Sequence, residues 1–521
     1  MKNYQLFRLY TFLFLLTSLL SVVSSSAQST YQKQLVFNSA GGYNISSVVY
    51  SGQFGNDVVV VTSSDIIVFD PNAGTVVSQN SITSGGAYFT IDAVYRKNNE
   101  LFCIASKSAA TEVLSYLFKY DLATSSTIWQ KRLHTSQGKI AMKSITGDGS
   151  EHLYIAGALY NDVLEKNNII IIKTNADGSV SWSEQIGQDT LDEVANSIVY
   201  KNDSEIYFSA FAFSPNNPFG KSITFRCNNL GSVIASRATA TVGHGPRLGE
   251  NLLGVLNNQL YTIDATFIGP SDPGPVLFRK FDASLTELSS VCRRGVSPRS
   301  IFFNDSHILL TGQAPMSSGL LGFRTVRFDA DLNITGSRYF YNIPTYSIAS
   351  SASCFITDSN ASYHFIKSGS FDTIQVIRSD SAEYVGCVDT SFNLGSATFA
   401  YTYLPYEVVI DSISVTASPD LVTVAKATNI TIKNYCPSPA AVTDIEVTKT
   451  LQIFPNPAGS EININYPGLP AQTLSIQNLL GLTVLTTTHT RNVDISLLAP
   501  GLYFIKAMVG TELYTAKLIK R

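Results

Sequence analysis

A short pattern recurs about every fifty residues through most of this chain, and it limits the possible folds more than any other feature. Each copy is an apolar, strand-like run that ends in a polar turn residue. The seven copies lie at residues 66–70, 117–121, 171–175, 224–228, 278–282, 325–329 and 375–380. Such a period, with four short strands per unit, is typical of a β-propeller, in which each sheet packs against its neighbours. Helical periodicity is nearly absent after Gln28, so the sequence predicts an all-β protein.

Individual strands can be assigned within the third unit. The predicted strands are residues 169–173, 180–185, 195–200 and 205–210. Asn175 and Gly178 occupy the first and fourth positions of the turn between the first two strands, which is a type I preference. Seven units favour seven blades. Six or eight blades remain possible, because segments 31–63 and 392–432 could close the ring or form another blade.

One unit also has a more specific pattern. It consists of residues 153–157 followed by Asp177, Gly178, Ser181 and Trp182. This pattern resembles a repeat of secreted bacterial propellers, and the resemblance covers roughly one blade. Trp182 has no counterpart in the fourth or sixth units, so the resemblance supports the architecture more than the number of blades.

The start of the chain has the features of a secretory signal peptide covering residues 1–27. Lys2 and Arg8 supply positive charge, residues 6–23 are largely apolar, and Ser25 and Ala27 are small residues at the cleavage positions. No later stretch reaches the about 20 apolar residues that a membrane helix needs, so we expect no membrane span in the mature chain. The formal net charge of −3 predicts no nucleic-acid partner and no anionic membrane partner.

The C-terminal part of the chain carries an ordered series of motif residues. They are Pro455, Asn456, Pro457, Asn478, Gly481, Gly501, Tyr503, Lys506, Lys517 and Lys520. In order and spacing they resemble the C-terminal sorting domain of proteins exported by the type IX secretion system of Bacteroidetes. Leu482 departs from the family, which commonly has a basic residue there. The resemblance implies binding to the type IX machinery, passage through the periplasm and delivery to the outer-membrane surface or the extracellular space.

The same C-terminal residues also predict a fold. Runs that favour strands lie at 484–488, 493–497 and 502–506 and are bounded by Gly and Pro, as in a small immunoglobulin-like β-sandwich. Pro455 and Pro457 lack the amide hydrogen that a central strand donates, so we expect an edge or an entry loop there. The predicted domains are a signal peptide (1–27), a β-propeller (28–410), a closing segment or linker (411–446) and the sorting domain (447–521).

The six cysteines show no Cys-x-x-Cys spacing, which argues against zinc-ribbon and redox sites. An oxidising compartment permits disulfides, and we expect Cys387 to pair with Cys436 because both lie near the end of the large domain. Buried free thiols are an equally good interpretation of the other four cysteines.

The search for catalytic, cofactor-binding or metal-binding residues identifies none. Residues 173–184 resemble a calcium loop, but Lys173 stands where the first carboxylate should be. The histidines lack a metal-binding spacing. Asp192 and Glu193 could act as paired carboxylates, yet consecutive strand residues point to opposite faces, so we interpret them as part of a solvated loop.

Two classes of function remain after this search. The favoured one is a non-catalytic secreted or surface-displayed propeller that binds a glycan or protein partner through loops at the channel mouth. The alternative is an exported polysaccharide hydrolase or lyase whose active residues come from several blades, and a third possibility is a spacer or matrix component. The aromatic residues Tyr401, Tyr403 and Tyr406 fit core packing, with sugar stacking as the other interpretation.

Overall fold

A computed structural model of the protein describes most of the chain after the predicted signal peptide. The described residues are 31–37, 46–83, 89–108, 113–188, 190–214, 217–241, 245–267, 275–303, 306–315, 321–340, 348–356, 361–368, 373–379, 389–391, 394–396, 401–404, 406, 408–419, 422–427, 430–436, 449–465, 474–478, 483–488, 491–509 and 512–521. The chain forms two compact units, residues 1–438 and 439–521. Within the described residues there is no helix with the length and apolar character needed to cross a membrane.

The first unit is built mainly from consecutive antiparallel strands. They are β1 (Tyr31–Phe37), β2 (Val48–Phe54), β3 (Asp57–Thr62), β4 (Asp65–Asp70), β5 (Thr75–Thr83), β6 (Phe89–Lys97), β7 (Glu100–Ser108), β8 (Val113–Asp121), β9 (Ser126–His134), β10 (Lys139–Gly147), β11 (Leu153–Asn161), β12 (Lys166–Thr174), β13 (Val180–Ile186), β14 (Asp192–Asn202), β15 (Glu205–Ser214), β16 (Asn217–Cys227), β17 (Val233–Thr241), β18 (Gly245–Leu256), β19 (Gln259–Phe267), β20 (Val276–Phe281), β21 (Glu287–Arg294), β22 (Ser297–Phe303), β23 (Ile308–Pro315), β24 (Leu321–Phe328), β25 (Ile334–Phe340), β26 (Ile348–Ile356), β27 (Ala361–Ser368) and β28 (Thr373–Ser379).

A second set of short strands lies within residues 389–436, whose described part we call the belt. They are β29 (Asp389–Ser391), β30 (Gly395–Ser396), β31 (Tyr401–Leu404), β32 (Ile410–Ser412), β33 (Thr416–Pro419), β34 (Thr423–Ala427) and β35 (Ile430–Cys436). Each belt strand adds one edge strand to a different sheet. The predicted boundary at residue 410 therefore falls inside the belt, since the strands after it pair with the same set of sheets.

The described residues of the first unit form seven five-stranded sheets. Sheets 1 to 6 each contain four consecutive strands, starting with β2, β6, β10, β14, β18 and β22, plus one belt strand. Sheet 7 contains β26, β27 and β28, is extended by β1 from the other end of the chain, and ends with β35. The first strand of each sheet contacts the first strand of the next, and β26 contacts β2. These contacts close a ring, so the all-β propeller prediction is confirmed.

The belt travels around the ring in the direction opposite to the order of the sheets. It begins with β29 on sheet 6, passes sheets 5, 4, 3, 2 and 1, and ends with β35 beside β1 in sheet 7. The fourth strand of a sheet would otherwise leave a row of unpaired backbone groups, and the belt covers that edge. Segment 31–63 thus contributes a closing strand, whereas segment 392–432 supplies edge strands to several sheets instead of another blade.

The repeat units in the sequence are offset from the sheets. Two of the strands predicted for the third unit correspond to β12 and β13 of sheet 3, and the other two correspond to β14 and β15 of sheet 4. The core lies between the sheets: Val59 and Ile66 of sheet 1 pack in one buried cluster with Ile91 and Phe118 of sheet 2. Because both faces of a sheet are covered, a second strand such as β11 is buried along most of its length.

Basic residues on the third strands of five sheets link each of these sheets to the one that follows. In five sheets an aromatic residue on the second strand lies directly opposite a basic residue on the third. The pairs are Phe102 with Lys119, Tyr154 with Lys173, Tyr207 with Arg226, Tyr261 with Lys280 and Tyr363 with Arg378. The basic group then reaches a turn of the following sheet: the Lys173 Nζ lies 3.4 Å from the carbonyl oxygen of Asn229. These contacts give the recurring pattern a structural role. They do not imply a catalytic or ligand-binding role.

The second unit, described by itself, contains two sheets. Its strands are β36 (Lys449–Thr450), β37 (Gln452–Phe454), β38 (Glu461–Asn465), β39 (Leu474–Gln477), β40 (Thr483–Thr487), β41 (Asn492–Asp494), β42 (Gly501–Val509) and β43 (Glu512–Lys520). A five-stranded and a three-stranded sheet enclose one apolar cluster, as expected for a small β-sandwich. The strand predicted at 493–497 is shorter, because the Asp494 carboxylate accepts a hydrogen bond from the Ser496 amide (2.8 Å) and turns the chain.

Candidate functional site

Six innermost strands carry an extra residue at the same place. The pairing of first and second strands skips one residue in each, which marks a β-bulge. The skipped residues are Val49, Asp92, Lys143, Asn196, Arg299 and Ala349. We call this set the bulge ring. In sheet 5 the skip is longer and runs from Pro246 to Asn251.

The bulge ring surrounds the central channel. The first strands contact one another around the ring, so the edge that is not paired with the second strand faces the axis. A bulge bends its strand and redirects the extra side chain. Lys143 is exposed, although it lies between the buried Met142 and the partly buried Ser144. We therefore place the exposed Lys143 side chain at the wall of the channel, and the other skipped residues occupy the same position on their innermost strands.

Small residues on the second strand make room for the bulges. Gly157 lies opposite Met142, just before the bulge at Lys143. A Cβ atom at Gly157 would lie 2.8 Å from the Cα of Met142 and closer still to the carbonyl oxygen of Ala141. The residues at this position are Thr62, Ala105, Gly157, Ala210, Thr266, Gly312 and Ser368. The close approach of the two backbones thus limits the size of the side chain at this position.

Asp92 and Lys143 bring opposite charges together from neighbouring sheets. Burial raises the pKa of Asp92, while a hydrogen bond from Ser106 and the positive charge of Lys143 act in the opposite direction. Asp92 and Lys143 are therefore close enough to interact electrostatically, although they belong to neighbouring sheets. Asp92 is half-buried, whereas Lys143 is exposed and available to a molecule in the channel.

Asn196 and Arg299 extend the polar part of the ring. Asn196 follows in sheet 4, and its side-chain Nδ2 is buried without a hydrogen-bond partner among the described residues. A buried amide that donates no hydrogen bond is costly in a folded protein, so this donor is suited to a bound ligand or water. Arg299 lies in sheet 6, across the ring from Lys143.

Sequence reasoning missed the bulge ring, although a signal is present. In β10 the buried residues are Ile140, Met142 and then Ile145, so the alternation changes from even to odd numbers across Lys143. In β14 the same change separates Ala195 from Ile198. A strand whose buried positions change parity contains an extra residue, and that residue is the one to inspect.

The predicted paired carboxylates have a structural role. Glu193 has no exposed surface and accepts hydrogen bonds from the Gln188 amide (2.8 Å) and from the Tyr406 hydroxyl. The interpretation of this residue as part of a solvated loop is therefore wrong, because the belt covers it. Burial raises the pKa of Glu193, and the two hydrogen bonds limit that rise. Asp192 accepts a hydrogen bond from the Asn167 side chain (2.9 Å).

The belt tyrosines are engaged in contacts with the ring. The hydroxyls of Tyr401 and Tyr403 both donate hydrogen bonds to Glu287, at 2.7 Å for Tyr401. The Arg237 guanidinium stacks on the Tyr403 ring at 3.5 Å from its centroid. These contacts fit the packing interpretation of the tyrosines and hold β31 against sheets 4 and 5.

The cysteine prediction lies largely outside the described residues. Cys387 is not among them, and for Cys436 the structure describes the backbone, which pairs with Gln32. Cys103 and Cys227 are buried free thiols, and burial raises the pKa of Cys227 to about 12. In the described part of the chain, no three His, Cys, Asp or Glu side chains are grouped to hold a metal ion.

Several motif residues of the second unit lie together around its last strand. The Asn456 side chain donates a hydrogen bond to the carbonyl oxygen of Lys517 (2.6 Å) and accepts one from the amide of Ile519 (2.8 Å). The Asn456 side chain, which lies between Pro455 and Pro457, thus makes the two hydrogen bonds that the backbone of a neighbouring strand would make. Tyr503 is buried, and its hydroxyl donates to the carbonyl oxygen of Ala499 (2.9 Å).

The remaining motif residues are more dispersed. Lys506 and Lys517 are exposed, and Lys520 is partly buried at the end of β43. Gly501 begins β42, and Asn478 directly follows β39. Gly481 lies outside the described residues. The structure therefore unites the Pro-Asn-Pro segment with the basic terminal strand and leaves Lys506 and Lys517 exposed.

The comparison with protein families agrees with this geometry. Residues 452–521 match the model of the secretion system C-terminal sorting domain. The chain carries a type IX sorting domain. It is therefore an exported protein with a cell-surface or extracellular destination, and its sorting domain implies engagement of the type IX machinery. No repeat family matches the ring, and no curated protein matches the chain.

Several solved structures show distant similarity. A subtype N10 neuraminidase-like protein of A/little yellow-shouldered bat/Guatemala is 11% identical with a TM-score of 0.36, covering 55% of this chain and 93% of its own. Trypanosoma rangeli sialidase is 12% identical with a TM-score of 0.35, covering 60% of this chain and 57% of its own. Kluyveromyces lactis Hsv2 is 13% identical with a TM-score of 0.34, and the match covers 65% of this chain and 99% of Hsv2. Scores this low give no information about activity.

Proposed function

We propose that this exported propeller is a non-catalytic binding protein that takes a carbohydrate chain at the bulge ring. The observation that carries the proposal is that Asp92, Lys143 and Asn196 occupy the bulge positions of three neighbouring innermost strands around the channel. Carboxylate, ammonium and amide groups are the partners that sugar hydroxyls need. A few such groups on a rigid scaffold are typical of a ligand site.

The position of the site on the innermost strands favours a saccharide over a folded protein. The bulge ring lies on the innermost strands, so a ligand must enter the channel to contact it. The end of an oligosaccharide can do so, whereas a protein surface would stop at the loops. The tyrosines of the belt do not contribute, because Tyr401, Tyr403 and Tyr406 bind carboxylates of the ring.

Binding without hydrolysis is also the better fit to the side chains. Most glycoside hydrolases use a pair of carboxylates on either side of the bond that they break. Among the described bulge positions, Asp92 is the one carboxylate, and Glu193 is sealed beneath Tyr406. We further propose that the signal peptide directs the chain into the periplasm, that residues 28–438 form the binding unit, and that the motif residues of 447–521 serve export.

A glycan array probed with the mature protein tests the proposal. We expect selective binding to a subset of saccharides, with loss of binding in Asp92→Ala and Asn196→Ala. Asp162→Ala is the matched control, because Asp162 pairs with Lys139 outside the bulge ring. Absence of binding to every saccharide, or release of reducing ends from polysaccharide pools, would contradict a carbohydrate-binding, non-catalytic role. Capture of a protein partner without saccharide binding would contradict it as well.

A further inference from the structure

We propose that the ligand of the bulge ring is an acidic saccharide, one that carries carboxylate or sulfate groups. This inference rests on the proposed function and adds the charge of the ligand. It follows from which residues occupy the bulge positions and from where those positions lie around the ring.

The charges of the bulge ring are opposite in sign to that of the whole protein. Lys143 and Arg299 supply two positive charges against the single negative charge of Asp92, so these positions carry a net charge of +1. The chain as a whole has a formal net charge of −3. The net charge of the whole chain therefore gives no general attraction for anions, whereas the bulge positions have a small excess of positive charge. Local placement of this kind indicates recognition of a specific group on the ligand.

The two cations lie on different sides of the channel. Lys143 belongs to sheet 3 and Arg299 to sheet 6, with two sheets between them along one side of the ring and three along the other. Asp92 occupies the same position in the adjacent sheet 2, and its carboxylate and the Lys143 ammonium attract each other. A ligand in the channel can therefore meet an ammonium on one side and a guanidinium on the other. One acidic group, or two along a chain, would satisfy this arrangement.

The chemistry of the two cations suits carboxylate and sulfate oxygens. A guanidinium has five N–H donors in a planar fork, so Arg299 can keep its contacts within the protein and still bind an anionic oxygen. The exposed ammonium of Lys143 adds a compact positive charge. Exclusion of water from the channel by a bound saccharide strengthens both interactions. Neutral saccharides gain none of these charge-assisted hydrogen bonds.

Matched polymers that differ in charge test the inference. The probes are polygalacturonate against its methyl ester for the carboxylate, and dextran sulfate against dextran for the sulfate, each titrated into the mature protein. We expect the acidic member of at least one pair to bind and its neutral counterpart to bind at least about tenfold more weakly, because a hydrogen bond to a charged group is lost. The binding should also weaken as salt concentration rises.

Variants separate the bulge ring from the rest of the surface. Lys143→Gln and Arg299→Gln should each weaken binding of the acidic polymer about tenfold or more. Lys139→Gln is the control, because Lys139 lies on the same strand as Lys143 but pairs with Asp162 (2.7 Å). Thermal unfolding of each variant checks that the ring remains folded.

The outcomes distinguish this inference from the proposed function. Equal binding of the neutral and acidic polymers, with loss in Asn196→Ala, would overturn the charge preference and leave carbohydrate binding in place. Acidic binding that Lys143→Gln and Arg299→Gln do not change would place the interaction elsewhere on the surface and overturn the inference. Absence of binding to all four polymers and to the glycan array would overturn the proposed function itself.

Discussion

At the scale of single residues, the backbone contact beside each bulge sets the strictest limit on side-chain size. Gly157→Ala would push a methyl group against the backbone of Ala141 and Met142, which cannot move without disturbing the bulge at Lys143. We expect a loss of about 1–3 kcal/mol in the free energy of unfolding, as for other overpacked sites. Chemical denaturation of the mature protein measures this loss.

Gly336→Ala is the matched control for that substitution. The nearest atom to a Cβ at Gly336 is the Cβ of Arg327 at 4.0 Å, so the added methyl group has room. We expect an unfolding free energy within about 0.5 kcal/mol of the parent protein. Equal losses in both variants would show that the position of the glycine is unimportant and would contradict the proposed geometry of the bulge.

Glu205 gives a prediction about pH. Burial acts to raise its pKa, but hydrogen bonds from Lys201, Tyr207 and Asn202 outweigh burial and lower the pKa to about 2, from a reference value of 4.5. The unfolded chain therefore takes up the proton first as the pH falls. The stabilisation is fully present above about pH 4.5 and is lost as the pH falls toward 2.

Glu205→Gln should remove this pH dependence. At pH 7 we expect the variant to be about 1–2 kcal/mol less stable, because the hydrogen bonds to a charged group are lost. The difference in melting temperature between the two proteins should shrink as the pH is lowered from 7 to 3. A constant difference over that range would show that Glu205 has an ordinary pKa.

Some residue-level features could be predicted from the sequence, and others depend on the closed ring. The basic residues on the third strands leave a signal in the sequence, because Lys119, Lys173 and Lys280 recur at nearly constant multiples of the repeat length. The change of parity around Lys143 is also present in the sequence, but its position at the channel follows only from the contacts between first strands. Burial of Glu193 depends on Tyr406, more than two hundred residues later in the chain.

At the scale of elements, the belt is held to the ring by hydrogen bonds to carboxylates of the ring. Tyr406→Phe would remove the hydroxyl that donates to Glu193, leaving a fully buried carboxyl group with one hydrogen bond fewer. We expect a loss of about 1–3 kcal/mol in the free energy of unfolding, which is typical for an unsatisfied buried group. Thermal and chemical unfolding measure it.

Tyr401→Phe provides the comparison for the belt. Its partner Glu287 also accepts a hydrogen bond from Tyr403, so one donor remains after the substitution. We expect a smaller loss than for Tyr406→Phe. A larger loss in Tyr401→Phe would mean that the contact with Glu193 does not secure the belt.

The elements differ in how well the sequence predicts them. Most strands of the ring alternate or form long apolar runs, and the predicted strands at 169–173 and 180–185 lie within β12 and β13. The belt strands are short, and β32 is exposed along its length, so no apolar pattern marks them. Their position comes from the open edges of the sheets that they join, which a local pattern cannot reveal.

At the scale of the whole molecule, the two compact units predict how truncation acts. A chain that ends at residue 438 keeps the ring and its belt, and we expect it to unfold in a single cooperative transition close to that of the full ring. A chain that ends at residue 388 lacks the belt, exposes the outer edges of the sheets and uncovers Glu193. We expect it to aggregate or to melt at a clearly lower temperature.

Circular dichroism and size-exclusion chromatography distinguish the two truncated chains. A chain ending at 388 that is as stable and monomeric as the chain ending at 438 would contradict a structural role for the belt. Loss of folding in both would show that residues 439–521 are needed for the ring to fold. Both chains lack the sorting domain, so this comparison tests folding and does not test export.

The backward path of the belt also has a consequence for the time course of folding. The outermost strand of every sheet comes from a segment that is synthesised after the other strands of all seven sheets, and the last of these strands joins the first strand that was made. The outer edges of the sheets therefore remain uncovered until synthesis is nearly complete. During that interval their exposed backbone groups can pair with other chains. The yield of native protein should consequently fall as the concentration of newly made chains rises.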